Sequence, residues 1–152
     1  MSRLDRPADR LTFRQVDNLL PDACGLKPPI AVGTSPESQF TAWARSEKGL
    51  LLSNGIERQL GDLGATEYDV SLVDRYACPY TSPASVAVAA GVPGNRPTAS
   101  ALVLSAGERL RLEVSSRDSK LILILIEAPN PAEFTTLQPL VETILSSLNF
   151  TA

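Results

Sequence analysis

Residues 119–134, "SKLILILIEAPNPAEF", contain six consecutive leucines and isoleucines, Leu121 to Ile126, between Lys120 and Glu127. Six residues at about 3.3 Å each reach only about 20 Å as a strand, which is too short for a membrane span. In a strand, the three leucines face one side and the three isoleucines face the other. Both faces are then apolar, so we expect a C-terminal helix to cover one face and another layer to cover the other.

Two more strands are predicted just before this run. Residues 98–105, "TASALVLS", are rich in small and branched side chains, and Arg109 to Val114, "RLRLEV", alternates strictly between apolar and charged residues. The alternation predicts a half-buried strand whose face with Arg109, Arg111 and Glu113 is in contact with water. Residues 115–119, "SSRDS", are expected to form a polar turn. Three strands joined by short connections predict an antiparallel meander.

A C-terminal helix is predicted from a stripe of apolar residues at helical spacing: Leu137, Leu140, Val141, Ile144, Leu145 and Leu148. If Thr135 or Thr136 is the N-cap, Pro139 lies in the first turn, where its missing N–H costs little. A start at Asn130 would place Pro139 inside the helix at a cost of about 3 kcal/mol. The main helix is therefore predicted at 136–148, with a separate turn at 131–134.

The first half of the chain is less regular. Residues 66–76 alternate and predict a strand, and residues 85–90 predict a short strand within the Pro- and Gly-rich stretch 77–97. Residues 38–45 fit either a strand or a helix. Residues 50–63 have partly helical spacing that Gly55 and Gly61 weaken. A flexible N-terminal segment is expected at residues 1–15.

Composition and charge limit the function classes. The chain has 152 residues, 43% of them apolar and 20% charged, which is typical of a single globular domain. The net charge of -3 argues against a nucleic-acid partner. The N-terminus has no apolar run of signal-peptide length, and no stretch is long enough to span a bilayer. We therefore expect a cytoplasmic protein, or a secreted or periplasmic one if a signal peptide has been removed.

The chain contains no histidine, which excludes Ser-His-Asp and Cys-His catalysis and every histidine metal site. Phosphate-binding GxxxxGK[ST], GxGxxG and GxSxG motifs are also absent from the sequence. No catalytic, cofactor-binding or metal-binding residue is therefore predicted, and no cofactor. Cys24 and Cys78 are expected to be buried free thiols, with a disulfide as the alternative in an oxidising compartment.

Carboxylate chemistry remains open, because acid–base catalysis needs two carboxyl groups that converge in a cleft. The candidate acids are Asp69 and Asp74 on the predicted strand, with Glu57, Asp62 and Glu67 near them in sequence. Surface solvation is the more common state of such acids. Trp43, the only tryptophan, is expected in the core rather than at an interface.

The loop-like region is the predicted partner surface. Tyr76, Cys78 and Tyr80 alternate around a proline, and they form either an aromatic recognition loop or a strand end that packs on the core. The candidate partner-binding residues are Arg75, Tyr76, Tyr80, Asn95 and Arg96.

The C-terminal third resembles the PsbP/Mog1-type α/β/α sandwich family, whose chains close with an aromatic residue, a helix and a tail like "ILxSLxF". The matching residues are Phe134, Leu137, Val141, Ile144, Leu145, Ser147, Leu148 and Phe150. The resemblance implies a non-catalytic binding or assembly factor, since members of that fold serve as photosystem subunits, GTPase partners and secretion chaperones. No functional motif of a member is present, so the resemblance assigns no site residue.

These observations predict one α+β domain over residues 1–152, with an antiparallel sheet, helices packed on its faces and a three-layer α/β/α sandwich. The leading hypothesis is a protein-binding, assembly or accessory factor of chaperone or adaptor type. One alternative is a small enzyme that uses carboxylate or cysteine chemistry. The other is a homo-oligomeric structural subunit. A protein partner is expected in either the leading or the oligomeric case.

Overall fold

The computed structural model describes residues 10–19, 28, 30–47, 49–72, 85–90, 101–105 and 109–149. Within these ranges every strand pairs antiparallel with its neighbours. The elements are β1 Arg10–Val16, β2 Asn18–Leu19, β3 Ile30–Ala31, α1 Pro36–Ser46, β4 Leu50–Leu52, β5 Ile56–Leu60, β6 Leu63–Leu72, β7 Ser85–Ala90, β8 Ala101–Ser105, β9 Arg109–Arg117, β10 Lys120–Ala128 and α2 Pro131–Ser146. The prediction of an antiparallel sheet with helices in a mixed α and β fold is confirmed.

The described strands form two sheets. The larger sheet has the order β1-β10-β9-β6-β4, and β5 pairs with another part of β6. The smaller sheet has the order β3-β2-β7-β8. The chain passes from one sheet to the other at Asp17, between β1 and β2. Residues 10–15 are thus part of an edge strand, and the expected flexible segment does not extend over them.

The predicted three-strand meander is wrong in its first strand. The hairpin of β9 and β10 is present, but β8 pairs with β7 in the smaller sheet. The place beside β9 belongs to β6, which brings Tyr68 and Val70 onto the same apolar face as Leu110 and Leu112. Strands that are close in sequence are usually neighbours, which favoured β8 as the partner of β9. Here the more distant β6 takes that place, because its apolar residues continue the apolar face of β9.

The turn between β9 and β10 is shorter than predicted. Asp118 and Ser119 have φ values of 50° and 60°, and Arg117 pairs directly with Lys120. Two consecutive residues with positive φ are typical of a type I′ turn, whose twist matches that of the flanking strands. Residues 115–117 therefore belong to the strand, not to the turn.

The run of leucines and isoleucines forms most of β10, which lies between β1 and β9. Leu121, Leu123 and Leu125 belong to one apolar cluster, and Ile124 and Ile126 belong to another. The prediction that both faces of this strand are covered is confirmed. The first cluster includes α1 side chains and the second includes α2 side chains.

Helix α1 settles the ambiguity at residues 38–45. It begins at Pro36, whose fixed φ suits the first helical position, and it ends at Ser46. Phe40, Trp43 and Ala44 follow at helical spacing and are buried, with the two aromatic rings 5.6 Å apart. The core position predicted for Trp43 is confirmed. Residues 50–60 form strands instead of a helix.

Helix α2 begins earlier than predicted, at Pro131, so the separate turn at 131–134 is wrong and Pro139 lies inside the helix. Asn130 is the N-cap: its Oδ1 accepts from the N–H of Glu133 at 3.0 Å, and its Nδ2 donates to Oε1 of Glu133 at 2.7 Å. Such a reciprocal cap contributes about 1 kcal/mol. Together with the partial burial of Phe134 and Leu137, it offsets the cost of the interior proline.

The predicted wet face of β9 is also wrong. Arg111 is buried and Glu113 has 0% of its surface exposed, while Arg109 is exposed as expected. The two buried residues lie beside Ile126 and Ile124 of β10. Because α2 covers those isoleucines, its cover extends over the charged residues of the next strand.

Candidate functional site

The structure leaves the predicted partner-binding residues untested. Arg75, Tyr76, Tyr80, Asn95 and Arg96 all lie outside the described residues, and so do both cysteines. The predicted strand at 66–76 is confirmed over residues 66–72, and the strand at 85–90 is confirmed as β7. The candidate site therefore has to be built from the side chains of the larger sheet and the two helices.

Two of the acids considered for acid–base chemistry lie on β6. Glu67 is directly opposite Glu113 of β9, and Asp69 is directly opposite Arg111. Alternation along each strand places all four side chains on the face that carries α2. Glu57 and Asp62 are exposed and do not join this group, and Asp74 lies outside the described residues.

These residues belong to a larger charged cluster beneath α2. Nε of Arg111 donates to Oδ1 of Asp69 at 2.8 Å and lies 3.6 Å from Oε1 of Glu67. Arg58 of β5 forms ion pairs with Glu67, at 3.5 Å, and with Glu142 of α2. Hereafter the charged cluster means these six residues: Arg58, Glu67, Asp69, Arg111, Glu113 and Glu142.

Glu113 is the most deeply buried member of the charged cluster. Burial raises the pKa of its carboxyl group to about 7, and the neighbouring carboxyl group of Glu67 adds to the rise through its negative charge and as an acceptor for the protonated form of Glu113. The positive charges of Arg58 and Arg111 oppose that rise without cancelling it. The Glu113 carboxyl group therefore titrates at a higher pH than an exposed glutamate does.

Helix α2 closes the charged cluster from above. The guanidinium carbon of Arg111 lies 5.2 Å from the centre of the Phe134 ring, a cation–π contact. Val141 and Leu145 are buried against Ile124 and Ile126 next to it. The acids thus converge, but they converge in a covered interior: Glu113 is fully buried and Glu67 is 7% exposed. A substrate would have no contact with the Glu113 carboxyl group while α2 is in place.

An open groove lies beside the charged cluster, at the N-terminus of α2. It has a volume of about 430 Å³ and is lined by Leu51, Leu52, Ser53, Asp69, Val70, Ser71, Arg109, Leu110, Pro131, Phe134 and Thr135. Leu51 is 54% exposed although it is a large apolar side chain. The side chain of Arg109 is exposed and has no ion pair or hydrogen bond with a described residue. The groove thus combines an apolar wall with an available positive charge.

The position of the groove in the chain is also informative. Val70 and Ser71 line it and lie near the end of β6, just before the stretch that carries the predicted partner-binding residues. Leu51 lies on β4, which pairs with β6 on one side and has no described strand on the other. The groove is therefore at an edge of the larger sheet.

Sequence reasoning missed Arg111 and Glu113 as site residues because alternation was taken as a sign of solvent exposure. A usable signal was present in the neighbouring strand. Leu121 to Ile126 is apolar on both faces, which already required a cover over the isoleucine face. On one side of β10 the strand β9 shares that cover and its charged residues are buried, whereas on the other side Phe13 of β1 is 46% exposed.

No group of three or more potential metal ligands occurs among the described residues. Within the same ranges, no helix has the length and apolar character that a membrane span requires. Comparison of the chain with protein-family models, curated proteins and solved structures finds no match. The resemblance to the PsbP/Mog1-type fold therefore stays a prediction.

Proposed function

We propose that this protein is a non-catalytic binding or accessory factor that binds another protein through the groove beside α2. The observation that carries the proposal is the composition of the groove: an exposed Leu51, the Phe134 ring and an Arg109 with no ion pair to a described residue meet beside β4, the last described strand of the larger sheet. Interfaces favour aromatic and arginine side chains within an apolar surround. The partner segment that fits this chemistry has one large apolar side chain and one carboxylate.

The charge of the groove supports an acidic partner segment. Asp69 also lines the groove, but its carboxylate is engaged by Arg111 at 2.8 Å. Arg109 lacks such a partner among the described residues. A carboxylate that pairs with Arg109 in a partly desolvated groove gains more than a surface ion pair does.

The proposal includes a three-layer α/β/α arrangement of the kind that the C-terminal resemblance implies. It is supported by the division of the apolar side chains, since α1 contributes to one cluster on β10 and α2 contributes to the other. In that arrangement the larger sheet is a rigid platform, and a partner binds where the helix leaves the sheet uncovered. The carboxylate-enzyme alternative gains no support from acids as deeply buried as Glu113.

A photo-crosslinking experiment in the native host tests the proposal. A photoreactive phenylalanine analogue replaces Leu51, and in a matched control it replaces Leu140, which is 59% exposed on α2 and does not line the groove. We expect one stoichiometric protein crosslinked at position 51 and none at position 140. Mass spectrometry identifies the crosslinked peptide, which should contain an acidic residue.

Binding to the purified partner then gives the decisive comparison. Leu51→Glu and Arg109→Glu should each weaken binding at least about tenfold, because each removes a central contact, whereas Leu140→Glu should leave it unchanged. Equal affinity of all variants would contradict the proposal. Recovery of the protein alone would contradict it too, and crosslinking to a second copy of the chain would favour the homo-oligomeric subunit instead.

A further inference from the structure

Two buried carboxyl groups face each other beneath α2 without a donor between them. Glu67 and Glu113 are paired across β6 and β9, and both are buried. Neither oxygen of Glu113 accepts a hydrogen bond from a described residue, and neither does Oε2 of Glu67. Ionised carboxylates can only accept hydrogen bonds, so two of them side by side leave these oxygens unsatisfied. A buried acceptor without a donor costs about 1–3 kcal/mol.

The other charges around the pair do not supply that donor. Asp69 of β6 and Glu142 of α2 each engage one of the two arginines, Arg111 and Arg58. Facing the pair from β10 are the apolar side chains of Ile124 and Ile126. Four carboxyl groups therefore share two guanidinium groups, and of the four only Glu67 and Glu113 are buried while Asp69 and Glu142 are partly exposed.

We infer that Glu67 and Glu113 bind one proton between them near neutral pH, and that its release weakens the packing of α2 on the sheet. With one proton in place, the O–H of one carboxyl group donates to an oxygen of the other, which supplies the missing donor. Release of the proton to solvent restores two acceptors in contact and adds a negative charge under the helix. The nearest charge on α2 is the carboxylate of Glu142, which this added charge repels.

The direction of the effect on stability follows from the titration of the pair. Burial raises the pKa of Glu113 from 4.5 to about 7, so the folded chain holds a proton that the unfolded chain has already lost. Stability from this group is therefore greatest below the unfolded value and falls as the pH rises through about 7. Near neutral pH, small changes in acidity alter the occupancy of the pair.

The same proton is linked to the groove through α2. Pro131, Phe134 and Thr135 of this helix form one wall of the groove, and Phe134 also contacts Arg111 of the charged cluster. Loosening of α2 would then change the shape of the groove. This last consequence rests on the proposed binding function, whereas the proton-sharing pair does not.

Carbon-13 NMR of the glutamate carboxyl groups in the wild-type protein tests the pair directly. With the signal of Glu113 assigned, we expect its titration step near pH 7. A midpoint below about 5.5 for Glu113 would overturn the inference, since ordinary glutamates titrate near 4.3. This measurement concerns the protein alone, so its failure is distinct from a failure of the groove to bind a partner.

Glu113→Gln provides the matched variant, because its amide group donates to Glu67 at every pH. Between pH 5.5 and 8.5 the unfolding equilibrium constant of the wild type should rise about 30-fold more than that of the variant. Glu57→Gln, on the neighbouring strand β5 but exposed and outside the charged cluster, should keep the wild-type pH dependence. Parallel pH profiles for the wild type and Glu113→Gln would overturn the inference.

Amide hydrogen exchange shows whether the loss of packing at high pH is confined to α2. After correction for the intrinsic rate, amides of α2 in the wild type should lose protection at pH 8.5 relative to amides of α1, and those of Glu113→Gln should not. Equal protection of both helices at both pH values would overturn the link to α2. If Glu113→Gln does not fold, the carboxyl titration and the exchange profile of the wild type decide the matter.

Discussion

The two faces of the larger sheet are packed against their helices by different kinds of interaction. The face toward α1 is apolar throughout its buried centre, where Phe40 and Trp43 pack on Leu112, Leu123 and Leu125. The face toward α2 has a smaller apolar cluster and, next to it, the buried charges of the charged cluster. Both faces are covered where β9 and β10 lie, one by apolar contact and the other in part by ion pairs.

This difference indicates which face contributes most of the free energy of folding and which face makes that free energy depend on pH. Apolar burial contributes about 25 cal/mol per Å² and does not depend on pH. Buried ion pairs contribute little net stability, because the cost of desolvating both charges offsets their attraction. Removal of one partner is nevertheless costly, since it leaves the other charge buried and unpaired. The α1 face is therefore expected to act as the constant core, and the α2 face as the part that responds to pH and to a partner.

Phe40→Ala should have the largest effect, because Phe40 is 0% exposed in the α1-side cluster. We expect a loss of about 3–5 kcal/mol in the free energy of unfolding, from the lost burial and the cavity left behind. Phe13→Ala is the control, since Phe13 is 46% exposed on β1 and should lose well under half as much. Urea denaturation at pH 6 and pH 8 measures both losses. A pH-dependent loss for Phe40→Ala would contradict the expectation that the α1 face contributes the same stability at every pH.

Arg111→Leu should have the next largest effect and, unlike the first, should depend on pH. The variant keeps most of the side-chain volume but leaves Glu67 and Glu113 with only one of their two neighbouring cations, Arg58, at a cost of about 3 kcal/mol above pH 8. Below pH 6 the cost should shrink, because burial raises the pKa of Glu113 to about 7 and its carboxyl group is then neutral.

Arg109→Leu is the matched control for that prediction, since Arg109 lies two residues earlier on β9 and is exposed. Its effect on the free energy of unfolding should stay within about 0.5 kcal/mol. A cost for Arg111→Leu that is the same at pH 5.5 and pH 8.5 would remove the distinction between the two faces.

Gly61→Ala should have a smaller effect, of about 2 kcal/mol, localised to the attachment of α2. Gly61 has a φ of 61°, and an added Cβ would lie 2.0 Å from the backbone oxygen of Leu148, which follows the helix. Gly64→Ala is the control, because no atom lies within 4 Å of a Cβ added there. Thermal unfolding should separate the two variants by several degrees, and equal midpoints would show that the end of α2 is not held at this turn.

Much of the sheet could be predicted from local pattern. The six apolar residues from Leu121 to Ile126 predicted a strand covered on both faces, and the structure confirms it. The alternation around Tyr68 and Val70 predicted β6, and both of these side chains are buried as expected. These predictions succeeded because burial on one or two faces imposes a period on the sequence that does not depend on which strand is the neighbour.

Three predictions failed where a distant contact outweighed a local preference. Pro139 was expected to set the start of the last helix, but the cap at Asn130 and the burial of Phe134 extend it upstream. Residues 101–105 pair with β7 instead of β9. Arg111 and Glu113 were expected in water and are buried. The burial of Phe134 and the pairing of β8 depend on other parts of the chain, whereas the apolar faces of β10 already indicated a cover that extends over the charged residues of β9.

In the candidate site, too, the residue types could be read from the sequence but their arrangement could not. The acids at positions 67 and 69 were recognised in the sequence as residues that could matter only if they converged. Their convergence with Glu113 depends on the pairing of β6 with β9, which joins segments more than forty residues apart. The groove likewise combines β4, β6, β9 and the start of α2.

The sequence by itself determined the secondary-structure class, the two-faced apolar strand and the lack of histidine chemistry, because these depend on residue type and spacing alone. Only the tertiary structure decided which strands are neighbours, and through that pairing which charges are buried together. The physical reason is that the free energy of a charged group depends on its surroundings. Glu113 in water is an ordinary acid, but opposite Glu67 beneath α2 its pKa rises to about 7.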